Sequence, residues 1–191
     1  MNETTFMQWA LQAFTIQPYP DTRFPPSPYY RFLRVLAGNL HPRLSVELGC
    51  GCAGASLGLA MGWQEGVVVG VDRVNEYPEC IEHVSGKFPN FRFRRGDSVE
   101  LAPEIYNEFG EADILFIDTV HTYEQTWREF KGWRPFLSDR AVVCLDDLFR
   151  PGMDRVWKEL PGEKLRIDEL HSGGEVVDGV GDGGFGVIWG F

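Results

Sequence analysis

The fold is decided by residues 44–72, which read LSVELGCGCAGASLGLAMGWQEGVVVGVD. An apolar run ends in glycines, a segment that favours a helix follows, and a run of mostly β-branched residues ends in Asp72. The second run, VVVGVD, does not alternate with polar residues, as expected for a strand that is covered on both faces of a parallel sheet. The stretch therefore predicts a strand, a helix and a second strand joined by a right-handed crossover.

The same alternation continues along the chain. Further strands are predicted at FRFRRGD, ADILFID and AVVCLDD, with helices between them at residues 76–88, 99–109 and 123–137. The C-terminal segments 165–171 and 185–191 favour an antiparallel hairpin around a turn rich in Gly and Asp. The whole pattern predicts an α/β fold: a doubly wound, Rossmann-like, mostly parallel seven-stranded sheet with a reversed C-terminal strand and helices on both faces.

The first 40 residues have a different character. Residues 3–14 and 29–40 favour helices, and the stretch IQPYPDTRFPPSP between them contains five prolines, which excludes a helix there. We therefore expect residues 1–40 to form a helical and proline-rich cap. Residues 41–191 are expected to form the main domain, within one compact unit.

Composition and charge limit the classes of partner. The 191-residue chain has 18 basic and 28 acidic residues and a formal net charge of −10. This balance argues against nucleic-acid binding and against docking on anionic membranes. No apolar run is long enough to span a membrane, and the N-terminus lacks the pattern of a signal peptide. We expect a cytoplasmic protein whose four cysteines are reduced.

The glycines after the first predicted strand indicate a ligand site. Gly49, Gly51 and Gly54 match the spacing G-x-G-x-x-G, and Asp72 ends the next strand, where a carboxylate can accept hydrogen bonds from ribose hydroxyls. Ligands of doubly wound sheets bind beyond the carboxyl ends of the strands. The alternative is a tight strand-to-helix turn that binds no ligand.

The ends of the fourth and fifth strands carry a group of acids. Asp118 ends one strand and Asp146 and Asp147 end the other, so three carboxylates are expected to converge and to hold a hard divalent cation such as Mg²⁺. His121 lies three residues beyond Asp118 and is suited to act as a general base. The alternatives are that the two aspartates only cap the following turn and that the histidine caps a helix or is solvated.

In order and spacing, the motifs VELGCG, VGVD, RRGDS, ILFIDTVHTYE and VVCLDD resemble the class I S-adenosylmethionine-dependent methyltransferases. Within that class, the D-x-x-H segment and the D-D strand end are similar to small-molecule O-methyltransferases of the macrocin and mycinamicin type, and more distantly to catechol O-methyltransferase. The resemblance covers roughly residues 44–150. One departure is Ala53, which stands where relatives often have glycine.

The resemblance implies a role for each strand end. It implies that S-adenosylmethionine is the cofactor and that residues 41–191 are the methyltransferase domain that binds it. The implied cofactor-binding residues are Glu47, Gly49, Gly51, Gly54, Asp72, Asp97, Ser98 and Asp118. The implied metal ligands are Asp118, Asp146 and Asp147, and the implied catalytic residues are His121 and Asp118.

These observations favour an O-methyltransferase that acts on a small hydroxylated molecule with a divalent cation and a histidine base. One alternative is an NAD-type oxidoreductase that uses the same glycines, and another is a non-catalytic module that binds the cofactor. Residues 25–30 and 173–184 are the segments we expect to cover the site. The acceptor's identity and the oligomeric state stay open, with a homodimer as the state to test.

Overall fold

The computed structural model describes residues 1–167 and 183–191. Seven strands form one sheet. They are β1 (Leu44–Leu48), β2 (Val67–Asp72), β3 (Phe91–Arg95), β4 (Ala112–Ile117), β5 (Leu137–Leu145), β6 (Glu163–Arg166) and β7 (Gly186–Trp189). Their order across the sheet is β3-β2-β1-β4-β5-β7-β6.

The sheet is parallel except at its C-terminal side. The neighbours among β1 to β5 pair in parallel, whereas β7 pairs antiparallel with both β5 and β6. The predicted α/β fold with a reversed C-terminal strand is therefore confirmed. The segment 173–184, predicted to cover the site, lies outside the described residues except for its last two positions.

Helices connect the strands and cover both faces of the sheet. They are α1 (Glu3–Thr15), α2 (Pro28–Leu40), α3 (Gly54–Gly62), α4 (Pro78–Lys87), α5 (Ala102–Phe109), α6 (Tyr123–Trp133) and α7 (Met153–Glu159). Two buried clusters form the core, one on each face of the sheet. No helix among the described residues is long and apolar enough to cross a membrane.

The helix predicted over residues 123–137 is shorter in the structure. It ends at Trp133, a 3₁₀ turn covers Arg134–Phe136, and Leu137 already belongs to β5. Pro135 lacks the backbone N–H that an α-helix would need there. The correction lengthens β5 at its N-terminal end and leaves the strand end at residues 145–147 in place.

Small residues let α2 and α3 pack very closely. A Cβ atom on Gly58 would lie 2.5 Å from the carbonyl oxygen of Tyr30, and one on Gly62 would overlap the carbonyl of Arg34. A Cβ atom on Gly54 would overlap the ring of Tyr30. This contact holds the N-terminal helices against α3, which follows the glycine-rich turn at the site.

Candidate active site

A cleft opens where β1 lies between β2 and β4, at the carboxyl ends of the strands. Its volume is about 330 Å³. Strand order reverses direction at β1, since β2 lies on one side and β4 on the other, and doubly wound sheets bind ligands at that point. Five residues predicted from the sequence line the cleft: Gly49, Gly51, Asp72, Ser98 and Asp118.

The first two glycines of the motif shape the floor of this cleft. Gly49 has a φ of +85°, and a Cβ atom on it would overlap the carbonyl oxygen of Asp118 on the neighbouring strand end. Gly51 has a φ of +47°, and a Cβ atom on it would meet nothing within 4 Å. Gly49 is therefore needed for close backbone packing, whereas Gly51 leaves open space for a ligand.

Gly54, the third glycine of the motif, has a different position. It lies at the start of α3 against the ring of Tyr30, and both residues line a second, smaller cavity. It is absent from the described lining of the cleft. The close helix packing explains a glycine at this position, and its direct role in cofactor binding stays a prediction.

Asp72 is at the end of β2 and faces the glycine-rich turn. Its Oδ2 accepts a hydrogen bond from the backbone N–H of Gly51 at 3.0 Å, and its Oδ1 accepts one from Val74 at 3.2 Å. A carboxylate oxygen can accept more than one hydrogen bond. The side chain can therefore order the turn and still accept hydrogen bonds from a ligand in the cleft.

Asp97 and Ser98, predicted to border the adenine, have separate environments. The Asp97 carboxylate accepts from Arg128 at 2.7 Å and from Arg73 at 2.8 Å. These arginines, Arg128 foremost, hold the pKa of Asp97 well below its usual range. Ser98 is buried and lines the cleft, and its hydroxyl donates to Glu129 at 2.7 Å. Of the two, Ser98 is the residue placed to border a ligand.

Glu129 is a buried acid of the cleft that the sequence analysis did not identify. It is fully buried and accepts hydrogen bonds from Ser98, Thr119 at 2.8 Å and Gln125 at 2.8 Å. Three donors satisfy its carboxylate and hold residues from three segments around one end of the cleft. Glu129 stands three residues after Thr126 and four before Trp133, both buried on α6, so helical spacing already puts it on the inward face.

Glu47, the penultimate residue of β1, is also buried. It accepts hydrogen bonds from the backbone N–H of Ser56 at 2.8 Å and from the hydroxyl of the same residue. Burial raises the pKa of Glu47 to about 8, and the charge of Asp118 adds to that effect, while the bonds from Ser56 oppose it. Glu47 therefore joins β1 to the first turn of α3, behind the glycine-rich turn, and its contact with a cofactor stays a prediction.

The acids at the ends of β4 and β5 meet around one imidazole. His121 Nε2 lies 3.1 Å from Asp118 Oδ1, and its Nδ1 lies 3.3 Å from Asp147 Oδ2. Burial alone lowers the pKa of His121, but the hydrogen bond to Asp118 and the charges of Asp118, Asp147 and Asp146 raise it overall. The predicted proximity of this histidine to two acidic strand ends is thus present in the structure.

Asp146 is a half-buried member of this group. Burial raises its pKa to about 8, and the charge of nearby Asp118 adds to the rise. Oxygen ligands of this kind suit a hard divalent cation. Among residues 1–167 and 183–191, however, no group of three or more His, Cys, Asp or Glu side chains is arranged to hold a metal ion. Here the imidazole of His121 lies between Asp118 and Asp147, and Arg150 also pairs with Asp147 at 3.0 Å.

Three residues of this region have a left-handed backbone although none is glycine. They are Ala53, with a φ of 60°, His121, with a φ of 51°, and Asp147, with a φ of 55°. Such conformations cost free energy and cluster at functional sites. Ala53, the departure noted in the sequence, therefore adopts a conformation that favours glycine.

Comparison with known proteins assigns the family. The family described as a methyltransferase domain matches residues 46–148, more than half of the chain. A curated tRNA (guanine-N(7)-)-methyltransferase from Anaeromyxobacter dehalogenans is 27% identical over 121 residues. That match covers 62% of this chain, and the chain spans 58% of the length of that relative.

Solved structures share the fold over nearly the whole chain. An O-methyltransferase from Streptomyces achromogenes, involved in tomaymycin synthesis and solved with S-adenosylmethionine, is 17% identical, with a TM-score of 0.66 and coverage of 100% of this chain and 91% of that one. An O-methyltransferase from Bacillus cereus, solved with S-adenosylhomocysteine, is 18% identical, with a TM-score of 0.67 and coverage of 99% and 92%. The chain belongs to the methyltransferase domain family, and it shares its fold with these two O-methyltransferases.

Proposed function

We propose that this protein transfers a methyl group from S-adenosylmethionine to a hydroxyl oxygen of a small molecule. The observation that carries the proposal is the position of His121 between Asp118 and Asp147, beside a cleft that Asp118 itself lines. A histidine held in this way can remove a proton from a hydroxyl group at the cleft. The two O-methyltransferases of the same fold are consistent with this reaction class.

In the proposed step, the acceptor oxygen attacks the methyl carbon of the sulfonium, and the carbon–sulfur bond breaks as the carbon–oxygen bond forms. The hydroxyl proton goes to Nδ1 of His121, which faces Asp147 in the structure and must turn from that carboxylate to the acceptor hydroxyl, while Nε2 donates to Asp118. The carboxylates of Asp118 and Asp147 then stabilise the imidazolium ion. S-adenosylhomocysteine and the methyl ether are the products, and both atoms and charge balance.

The cofactor is proposed to occupy the cleft with its ribose at Asp72 and its adenine near Ser98. Three features support this placement: the carboxylate at the end of β2, the open space at Gly51, and the buried hydroxyl held by Glu129. Rigid positioning of donor and acceptor would supply much of the rate enhancement, since the transfer needs the three reacting atoms in line.

The proposal includes a divalent cation at the acids that follow β4 and β5. The oxygen donors of Asp118, Asp146 and Asp147 suit Mg²⁺ chemically and would hold it, but their present arrangement is not that of a coordination site. When bound, such an ion would lower the pKa of the acceptor hydroxyl. Measuring methyl transfer in the presence of a chelator, and again after Mg²⁺ is restored, tests the requirement. Equal rates under both conditions would exclude a metal from the reaction.

The proposed function is tested by incubating the protein with labelled S-adenosylmethionine and a library of hydroxylated small molecules. We expect label in a methyl ether, and we expect Asp72→Ala to lose cofactor binding and transfer together. Label in tRNA instead would make this protein a nucleic-acid enzyme, as the name of the Anaeromyxobacter relative describes that protein, although a net charge of −10 disfavours it. Cofactor binding with no labelled product from any class would favour a non-catalytic module.

A further inference from the structure

One end of the cleft is lined by polar side chains that meet at Glu129. Ser98 follows β3, Thr119 follows β4, and Gln125 lies on α6 one turn before Glu129. Ser98 and Glu129 are buried, whereas Thr119 and Gln125 are half-buried. The indole N–H of Trp133 also donates to the carbonyl oxygen of Ser98 at 2.8 Å. These contacts hold the polar groups in place before any ligand binds.

Glu129 has no cationic partner at this position. Arg128, its neighbour in the chain, pairs instead with Asp97 at 2.7 Å. Within the described part of the chain no lysine or arginine forms an ion pair with Glu129. A buried carboxylate without a counterion has to be stabilised by hydrogen-bond donors, and the donors here are two hydroxyls and one amide.

These hydrogen bonds determine how the two hydroxyls face the cleft. A carboxylate can only accept hydrogen bonds, so Ser98 and Thr119 each donate their single hydroxyl hydrogen to Glu129, at 2.7 Å and 2.8 Å. Each hydroxyl oxygen then has only lone pairs left for a ligand. Both hydroxyls therefore act as hydrogen-bond acceptors toward the cleft.

The amide of Gln125 completes the pattern with a donor. One of its N–H groups donates to Glu129 at 2.8 Å, and the amide has a second N–H. Adenine carries an amino group, which donates, beside a ring nitrogen, which accepts. Hypoxanthine carries a carbonyl oxygen and an N–H in the same places. Acceptor hydroxyls beside an amide donor match adenine and oppose hypoxanthine.

We propose that Glu129 sets the base preference of the cofactor site, by holding the hydroxyls of Ser98 and Thr119 as acceptors so that a purine with a 6-amino group is selected over one with a 6-carbonyl group. Glu129 is in this account a positioning residue that acts through the two hydroxyls. The inference rests on the proposed placement of the adenine near Ser98, but it does not depend on transfer of the methyl group to a hydroxyl.

The preference is measured by calorimetry with two ligands, S-adenosylhomocysteine and S-inosylhomocysteine, which differ only in the base. We expect the wild type to bind S-adenosylhomocysteine about tenfold to a hundredfold more tightly, because a carbonyl oxygen would face acceptors that cannot donate to it. Equal affinity of the wild type for the two ligands would overturn the proposal.

Glu129→Gln tests the role of the carboxylate with almost no change of shape. Oε1 accepts two hydrogen bonds and Oε2 only one, so the new amide nitrogen would take the place of Oε2 and donate to Thr119. The hydroxyl hydrogen of Thr119 would then turn into the cleft and could donate to a carbonyl oxygen. We expect the ratio of the two affinities to fall by about tenfold.

Two further variants separate this role from a structural one. Glu124→Gln removes the same charge from an exposed position of the same helix and should leave the ratio unchanged. Thr119→Val removes one acceptor hydroxyl without changing Glu129 and should lower the ratio.

A merely structural Glu129 would weaken both ligands by the same factor in Glu129→Gln, and that result would overturn the inference while leaving the proposed O-methyl transfer intact. A wild type that has the expected ratio but methylates no hydroxyl would contradict only the proposed reaction. A wild type that binds neither ligand would contradict the cofactor placement and this inference together.

Discussion

At the residue scale, the carboxyl groups of the site differ in environment more than in chemistry. Asp97 is held ionised by two arginines, whereas Glu47 is enclosed and has its pKa raised to about 8. Asp118 and Asp147 share one imidazole. The same side-chain type therefore serves as a structural ion pair, as a buried link between elements, and as a partner of the proposed base.

Glu47 should make stability depend on pH. Its pKa is about 8 in the folded protein, above the ordinary value of 4.5, so the folded state holds a proton that the unfolded state loses first. The free energy of unfolding should therefore fall as the pH rises from about 4.5 to about 8, by a few kcal/mol at most. Glu47→Gln should reduce this fall, measured by urea denaturation of the cofactor-free protein across that range.

The exposed Glu124 provides the control for this experiment. Glu124→Gln should leave the pH dependence of the wild type unchanged, since that side chain lies in contact with solvent. Asp146 also has a raised pKa and should retain part of the slope in the Glu47 variant. An identical slope in the wild type and in Glu47→Gln would show that Glu47 is ionised in the folded protein at low pH.

Substitution by glycine should be tolerated at Ala53 but not at Ala55, two residues further along the chain. Its left-handed backbone costs roughly 1–2 kcal/mol, which exceeds the roughly 0.8 kcal/mol of one buried methyl group. Ala53→Gly should therefore leave the free energy of unfolding unchanged or raise it by up to about 1 kcal/mol. Ala55→Gly, inside α3, should lower it by about 1 kcal/mol or more. Thermal or chemical denaturation compares the two, and an equal loss in both would contradict the assigned backbone conformation.

At the element scale, the close contact between α2 and α3 holds the N-terminal helices against the sheet domain. Gly58→Ala would bring a methyl group to 2.5 Å from the Tyr30 carbonyl oxygen, so the helices must separate. We expect it to lower the free energy of unfolding by about 1–3 kcal/mol. Gly86→Ala on α4 has nothing within 4 Å and should stabilise by up to about 1 kcal/mol. Chemical denaturation that finds the two changes equal would contradict this packing.

The sequence predicted the helices and strands well where a single local signal, such as an apolar run or a glycine, determined them. Near-continuous apolar runs marked the buried parallel strands β2 and β4, and glycines marked the turn after β1. The boundary between α6 and β5 was wrong because the apolar residues Trp133, Phe136 and Leu137 favour both kinds of element. Periodicity could not place the break, and Pro135 was the local signal that did.

At the scale of the whole molecule, the sequence predicted those residues of the candidate site that lie at the ends of strands. Parallel strands bring Gly49, Asp72 and Asp118 to one edge of the sheet without any knowledge of side-chain packing. Glu129 was not predicted, because its role depends on which helix faces cover the sheet. Contacts of that kind arise only in the assembled fold.

The most direct test of the account is the rate of the methyl-transfer step in His121→Ala. With labelled S-adenosylmethionine and an acceptor identified from the library, single-turnover transfer should fall by about 10²–10⁴-fold, while affinity for S-adenosylhomocysteine stays within about twofold. The wild-type rate should rise with pH around a midpoint above 6.5, because the neighbouring aspartates raise the pKa of His121, and the variant should lose that rise. A variant that keeps both the rate and its pH dependence would contradict the assignment of His121 as the base.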